Sequence, residues 1–463
     1  MKKQIVFMML ATALFSSCGI YNSYKRPDDI SVKGLYRDTV AVNDTLVSDT
    51  ANMGNISWRE MFRDPDLQAL IEQGLAHNYN MQTAMLQVKQ AQAALMTARL
   101  SFLPSFALSP QGGITKMEDS KSYRTYTLPV AASWEADIFG KLLNTSRGAK
   151  ASLMQSQAYE QAVRSQIISN IANLYYTLLM LDKQLQISEE TYGNWKETLE
   201  MMKSMMQAGM TNQVAVSQTE ASCYAVSASI AEIRQTIRET ENSLSTLIGQ
   251  APQQIRRSTL DAQQMPENIQ AGVPMQLLAN RPDVRAAEMS LASAFYATNK
   301  ARSSFYPQIS VTGTLGWTNG TTGTINPGKM IMNALASLTQ PLFNRGALVA
   351  NLKVSKAQQE QAKLNFQQTL LNAGSEVSNA LFAYQTVGEK AADRAKQVEA
   401  LSKAVEGTKD LMQLQGGSIT YLDVITAQQS LLQAQLSSVQ DDYSHLQSII
   451  NLYQALGGGR TNE

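Results

Sequence analysis

Two stretches without proline, residues 145–208 and 346–414, limit this chain more than any other feature. The first carries Ile167, Ile171, Leu174, Leu178, Leu181 and Leu185; the second carries Leu370, Val377, Leu381 and Tyr384. Steps of three, four and seven are the a/d seam of a left-handed coiled coil. At 1.5 Å per residue the first helix reaches on the order of 95 Å, three times the diameter of a small domain. Each run meets a glycine-centred turn, Gly209 to Asn212 and Gly416 to Thr420, and then a returning helix. The returns stop at Gly249 with Pro252 beyond it, and at Gly457-Gly458-Gly459. The spacing therefore predicts two very long antiparallel hairpins.

The two hairpins belong to a duplication. "ARLSFLPSFALSP" and "ARSSFYPQISVTG" each end a helix at Phe-x-Pro and launch an alternating stretch, at Phe102 and Phe305, about 200 residues apart. A short helix precedes each site, opened by Asp64-Pro65-Asp66 or by Asn280-Arg281-Pro282-Asp283, with proline in the first turn. The strand text lies between the short and long helices. In the second copy Ile309, Val311, Gly313, Leu315 and Trp317 alternate with Gln308, Ser310, Thr312, Thr314, Gly316 and Thr318, the length and period of a tilted membrane strand. In the first copy Phe106 and Leu108 lead through a turn predicted at Gly112-Gly113 into Tyr126, Leu128, Val130, Ala132 and Trp134. Symmetry adds a fourth strand at residues 330–343.

Composition agrees with long helices: 463 residues contain 12 prolines and 7% aromatics. A net charge of +1 leaves no electrostatic footprint for nucleic acid. Lys2-Lys3, an apolar run from Ile5 to Phe15 and then Ser16-Ser17-Cys18 match a signal peptide over residues 1–17. Phe15-Ser16-Ser17-Cys18 also resembles a lipobox, which would make Cys18 the lipid-carrying first residue, although Phe15 stands where Leu is usual. Cys223 is then the one remaining cysteine, so the mature chain forms no internal disulfide; it reads as a buried small apolar side chain. After the leader no stretch approaches the roughly 18 apolar residues of a membrane helix, so any span is β.

Four strands cannot stand alone in hydrocarbon, because two open edges leave backbone groups unpaired. Closure has to occur between chains. Two copies give eight strands with a filled interior, and three give twelve around an aqueous lumen lined by Thr and Ser. A homotrimer is the smallest arrangement that makes a duct.

The chain closely resembles the TolC-like outer-membrane factors, the NodT-type lipoprotein channel-tunnels of bacterial efflux, over 18–456. The resemblance is carried by Cys18 with Tyr24-Lys25-Arg26-Pro27, by Trp58-x-x-x-Phe62-x-Asp64-Pro65-x-Leu67 and by Asn280-Arg281-Pro282-Asp283-Val284-Arg285-Ala286-Ala287-Glu288. Gln340-Pro341-Leu342-Phe343 and Gly417-Ser418-Ile419-Thr420-Tyr421-Leu422-Asp423-Val424 complete it. It implies a mainly α chain with a membrane β-barrel part: duplicated helical hairpins form a periplasmic tunnel, and four strands per chain join a twelve-stranded trimeric barrel in the outer membrane. The segments would be a lipid-anchored linker at 18–57, tunnel helices at 58–103 and 280–306, and barrel hairpins at 104–139 and 307–343. Long hairpins would occupy 140–250 and 344–456, with a connector at 251–279 and a tail at 457–463.

The implied partners are a periplasmic adaptor (membrane fusion protein) and an inner-membrane pump of the RND or ABC type, with outer-membrane lipid around the barrel. By resemblance Gly209, Met210, Thr211, Gly417 and Ser418 would form the adaptor-contacting tip; ordinary helix caps would read the same way. The family often sets two acidic residues one turn apart just past the turn, as a closed constriction. Asp423 fits the first position and Thr426 takes the second, while the first copy has Ala215 where Asp423 stands. A ring of three close carboxylates attracts cations and repels itself; alone, Asp423 is also a favourable residue at a helix N-terminus.

No catalytic, cofactor or metal site is expected. His77 and His445 lack ligand spacing, and Gly313-Thr314-Leu315-Gly316 opens no helix. "MMKSMMQAGM", Met201 to Met210, suits soft cations such as Cu(I) or Ag(I), but methionine at helical spacing also simply packs. The rival to a duct is a lipid-tethered periplasmic coiled-coil scaffold with a small sheet and no pore.

Overall fold

The computed structural model describes residues 22–27, 30, 56–116, 118, 121–264, 281–320, 323, 325, 327–413 and 420–460. It divides into two compact units, each assembled from pieces of both repeats: 1–31, 86–158 and 285–369, and then 32–85, 159–284 and 370–463.

The first unit holds the sheet: β1 (Ser105–Leu108), β2 (Gln111–Thr115), β3 (Tyr123–Ala136), β4 (Gln308–Thr318) and β5 (Lys329–Thr339). All pairings are antiparallel, in the order β1-β3-β4-β5, with β2 also on β3. The sheet is thus four strands wide, as the alternation predicts, with its first strand in two pieces. The break falls at Ser109-Pro110, because Pro110 has no N–H for the ladder; Ser109 still donates to the Pro129 carbonyl at 3.1 Å.

The turn expected at Gly112-Gly113 is a correction. Both glycines lie inside β2, opposite Tyr126 and Thr125, and the chain reverses only after Thr115. Gly113 is there for cross-strand room: a Cβ on it would stand 3.2 Å from Thr125 Oγ1. β5 also ends at Thr339 rather than at Phe343, since Pro341 cannot donate and the Gln340 amide turns aside to the Phe305 carbonyl, 3.1 Å away.

The helices are α1 (Trp58–Met61), α2 (Pro65–His77), α3 (Tyr79–Leu100), α4 (Lys141–Gln207), α5 (Gln213–Leu247), α6 (Pro282–Ser303), α7 (Ala347–Gln413) and α8 (Tyr421–Ala455). α4 and α7 have 67 residues each, and α5 and α8 have 35 each, so the duplication extends to element length. A single helix expected from Asp64 to Phe102 is instead broken at Asn78, whose backbone is extended. The Asn78 carbonyl oxygen Oδ1 accepts from the Asn80 and Met81 N–H groups and caps α3, while Nδ2 donates to the Leu247 carbonyl at 2.8 Å. An Asn that caps and bridges at once is satisfied only with the helix interrupted.

The core of the second unit gathers Phe62, Leu67 and Ile71 with Ile168, Ile171, Tyr175 and Leu178 of α4 and Ile450 and Tyr453 of α8, all essentially buried. Of the heptad seam of α4, Ile167, Ile171, Leu178 and Leu181 are buried and Leu174 and Leu185 half-buried, and Ile168, Ala172, Tyr175 and Leu179 widen the buried stripe beyond a two-helix contact. That width fits a helix packed on several neighbours, each fully buried Leu or Ile contributing about 1.5–3 kcal/mol.

Candidate functional site

The register of the sheet sorts its side chains onto two faces of opposite chemistry. Leu128 opposes Trp317, Val130 opposes Leu315 and Trp134 opposes Val311; across the next ladder Trp317 meets Met330, Leu315 meets Met332 and Ile309 meets Leu338. Phe106, Leu108 and Ile114 extend the same face, and most of these side chains are exposed in the single chain. The other face carries Thr125, Thr127, Ser133, Ser310, Thr312, Thr314, Thr318, Asn333 and Ser337, with Ile331 and Leu335 of β5 as apolar exceptions. Its hydroxyls pair across strands, Thr127 Oγ1 with Thr318 Oγ1 at 3.1 Å and Ser310 Oγ with Ser337 Oγ at 2.7 Å. An oily face backed by a mainly hydroxylic one, with both sheet edges unpaired among the described residues, suits a barrel wall between lipid and water.

Of the tip residues, Gly209, Met210 and Thr211 are described. Gly209 has φ 71 and ends α4 in a Schellman motif: its N–H donates to the Met206 carbonyl, and Met210 N–H donates to Met205. Met210 is exposed, Thr211 is half-buried, and Asn212 caps α5 by accepting from Ala215 N–H at 3.0 Å. Gly417, Ser418 and Cys18 lie outside the described residues.

Asp423 and Thr426 are both exposed near the start of α8. One Asp423 carboxylate oxygen accepts from the Thr420 N–H and from the Thr420 hydroxyl, each at 2.7 Å. These two bonds hold the Asp423 carboxyl below the usual range. It therefore caps the helix and stays charged at neutral pH. Ala215, its counterpart in the first copy, is fully buried.

The methionine run divides: Met202 is buried with Leu199 and Val216, Met205, Met206 and Tyr421 pack against that cluster, and Met210 alone is well exposed. Packing accounts for most of it. Among the described residues no cluster of three or more His, Cys, Asp or Glu side chains is placed to hold a metal. Cys223 is buried among Trp195, Val226 and Ile230, as expected.

The sequence motifs turn out to be structural hubs. Asp64 accepts from Tyr175 Oη at 2.8 Å, from Ser258 Oγ at 2.5 Å and from Gln263 Nε2 at 2.8 Å. Burial alone would raise its carboxyl, but these bonds and one from Asp66 N–H outweigh it and hold it low. Arg26 grips Glu288 with two bonds, at 2.9 and 2.6 Å, bringing two of the resemblance motifs together. Arg257, not singled out in the sequence, bridges Asp182 and Glu241. Its partners lie 75 and 16 residues away, a separation no local pattern signals.

Comparison with known proteins agrees. The sequence profile of the family described as "Outer membrane efflux protein" matches residues 70–250 and 273–458, one match per repeat. The chain is 26% identical over 448 residues, 96% of each chain, to the cation efflux system protein CusC of Escherichia coli O6:H1. It is 27% identical over 481 residues, 99% of this chain and 96% of the other, to the toluene efflux pump outer membrane protein TtgC of Pseudomonas putida. Among solved structures, CusC superposes with a TM-score of 0.85 at 25% identity, covering 95% of this chain and all of that one. The open state of the Neisseria gonorrhoeae MtrE outer membrane channel gives 0.84 at 26%, covering 96% and 98%.

Proposed function

Because this chain belongs to the outer membrane efflux protein family, we propose that three copies form the exit duct of a tripartite exporter. The sheets close a twelve-stranded barrel in the outer membrane, the helical hairpins line a periplasmic tunnel, and acylated Cys18 tethers each chain. The tip, at Gly209, Met210, Thr211, Gly417 and Ser418, receives a periplasmic adaptor, which brings an RND-type or ABC-type pump. Asp423 and Thr426 form the constriction, with one acidic ring where many relatives carry two. The duct does no chemistry of its own; it passes small molecules, drugs or other toxic compounds, chosen by the pump. Relatives named for cations and for toluene fit such a shared conduit.

The observation that supports this reading is the two-faced sheet, whose two edges are open among the described residues. A soluble scaffold would leave that oily face in water, against the usual limit on exposed apolar patches. The test is single-channel recording of the detergent-purified protein in planar bilayers. The expected outcome is a trimer that conducts poorly and opens further as Asp423→Ala. Absence of conductance in both proteins would turn the reading to the lipid-tethered scaffold.

A further inference from the structure

Within the second unit, α4, α7 and α8 enclose a cavity of about 110 Å³, several times what one water molecule needs. Ile187 and Trp195 of α4 line it two turns apart, Gln428, Leu431 and Leu432 line it from α8, and Val405 enters from α7. Glu190 and Asn194 also border it and are exposed, so its mouth lies on their side.

Two polar atoms of this lining have no hydrogen-bond partner among the described residues, Trp195 Nε1 and Gln428 Oε1. Trp195 is 1% exposed and Gln428 7%, so neither turns to bulk water. Both are also held in place. The indole packs with Cys223, Val226, Ile230 and Ile425. The Thr198 hydroxyl donates to the Asn194 carbonyl at 2.9 Å, so it can only accept from Gln428 Nε2, 3.5 Å away. That contact orients the amide and leaves Oε1 as its unused end.

An indole N–H can only donate and an amide oxygen can only accept. An occupant that satisfies both brings one acceptor and one donor, and a hydroxyl is the smallest group that carries both. Water does the same, but it leaves Ile187, Val405, Leu431 and Leu432 wet, whereas a ligand with an apolar body covers them. Charge is disfavoured in either sign. No Lys, Arg or His lines the cavity to hold an anion, and Glu190 stands at its mouth; a cation would meet the positive end of the indole N–H.

We propose that this cavity binds a small neutral alcohol or phenol. The ligand hydroxyl accepts from Trp195 Nε1 and donates to Gln428 Oε1, and its apolar body lies against Leu431 and Leu432. Bound there, it touches α4 of the first repeat and α7 and α8 of the second, so it clamps the two hairpins in the arrangement that forms the cavity. The site lies within one chain, and its occupancy is measurable whether or not the protein conducts.

The chain has four tryptophans, so nitrogen-15 labelling gives four indole N–H signals, and the one lost in Trp195→Phe belongs to Trp195. The purified full-length protein is titrated with para-fluorophenol and, separately, with fluorobenzene, which has the same ring and no hydroxyl. Para-fluorophenol should move the Trp195 signal downfield and saturably, and fluorobenzene should leave it in place. Gln428→Leu should weaken para-fluorophenol about tenfold, the loss of one hydrogen bond. Val405→Trp, which fills the cavity from α7, should abolish the shift, and the other three indole signals report whether each variant is folded. An unmoved Trp195 signal would leave the cavity to water alone and overturn the proposal. So would an equal shift with fluorobenzene, or para-fluorophenol binding unchanged in Gln428→Leu.

Discussion

Arg281 Nη2 lies 2.6 Å from Glu376 Oε2, across 95 residues of sequence, while the same guanidinium holds Asp283 and donates through Nη1 to the Ala455 carbonyl at 3.0 Å. Its side chain is only 8% exposed. One arginine thus ties the start of α6 to α7 and to the end of α8. Removing it leaves the buried Ala455 carbonyl unpaired, while the Asp283 and Glu376 carboxylates, 41% and 57% exposed, can turn to water, so Arg281→Ala should cost about 1–3 kcal/mol. Arg281→Lys, which keeps the charge and loses the fork, should cost less. Chemical denaturation of the purified protein measures both; an alanine variant within 0.5 kcal/mol of wild type would show the hub to be dispensable.

The duplication also fixes how chains should meet. Within one chain β3 pairs with β4, placing Ala131 opposite Thr314. If β5 of one copy stands to β1 and β2 of the next as β3 stands to β4, Ser337 faces Gln111 of the neighbour, and the oily faces of both strands stay on one side. A Gln111→Cys/Ser337→Cys protein, with Cys223→Ser, should form intermolecular disulfides that run as a trimer on non-reducing gels. Cross-linking that succeeds only when Ser337→Cys is paired with Gly112→Cys would mean a slipped register and a different barrel.

Asp423 carries a pH expectation. Its carboxyl is depressed by the two bonds from Thr420, so the stability they give the helix start is present above the ordinary carboxylate value of about 3.9 and is lost as pH falls through the lower folded value. If Asp423 forms the proposed ring, the ring should stay charged, and cation preference in bilayers should be flat from about pH 5 to 8 and absent in Asp423→Asn. A wild-type titration centred between pH 5 and 7 would show instead that repulsion among the three carboxylates overrides Thr420.

Two glycines of the same backbone type should respond differently. Gly209 and Gly249 have φ 71 and 75. A Cβ on Gly209 meets nothing within 4 Å, whereas on Gly249 it would stand 2.7 Å from the His77 carbonyl oxygen. Gly209→Ala should therefore cost only the left-handed strain, about 1 kcal/mol. Gly249→Ala adds a backbone clash and should cost about 3 kcal/mol. Equal thermal shifts would contradict the packing of α2 against the end of α5.

Local spacing along the chain is enough to read several of its elements. The heptad seam from Ile167 to Leu185 specified a long helix, the alternation from Gln308 to Thr318 specified a two-faced strand, and the repeated Phe-x-Pro sites specified the duplication. Each is a periodicity that one element imposes on its own residues, so it can be read before any partner is known. The remaining features depend on contacts between distant segments. Asn78 interrupts a helical pattern because its amide finds Leu247, and Gly112-Gly113 sits in a strand because β3 passes close beside it. Arg257 finds Asp182 from 75 residues away, and Arg26 selects Glu288 from 262. A guanidinium accepts any well-placed carboxylate, and an amide any free carbonyl. Which partner it meets is fixed by the packing that closes the chain over those distances.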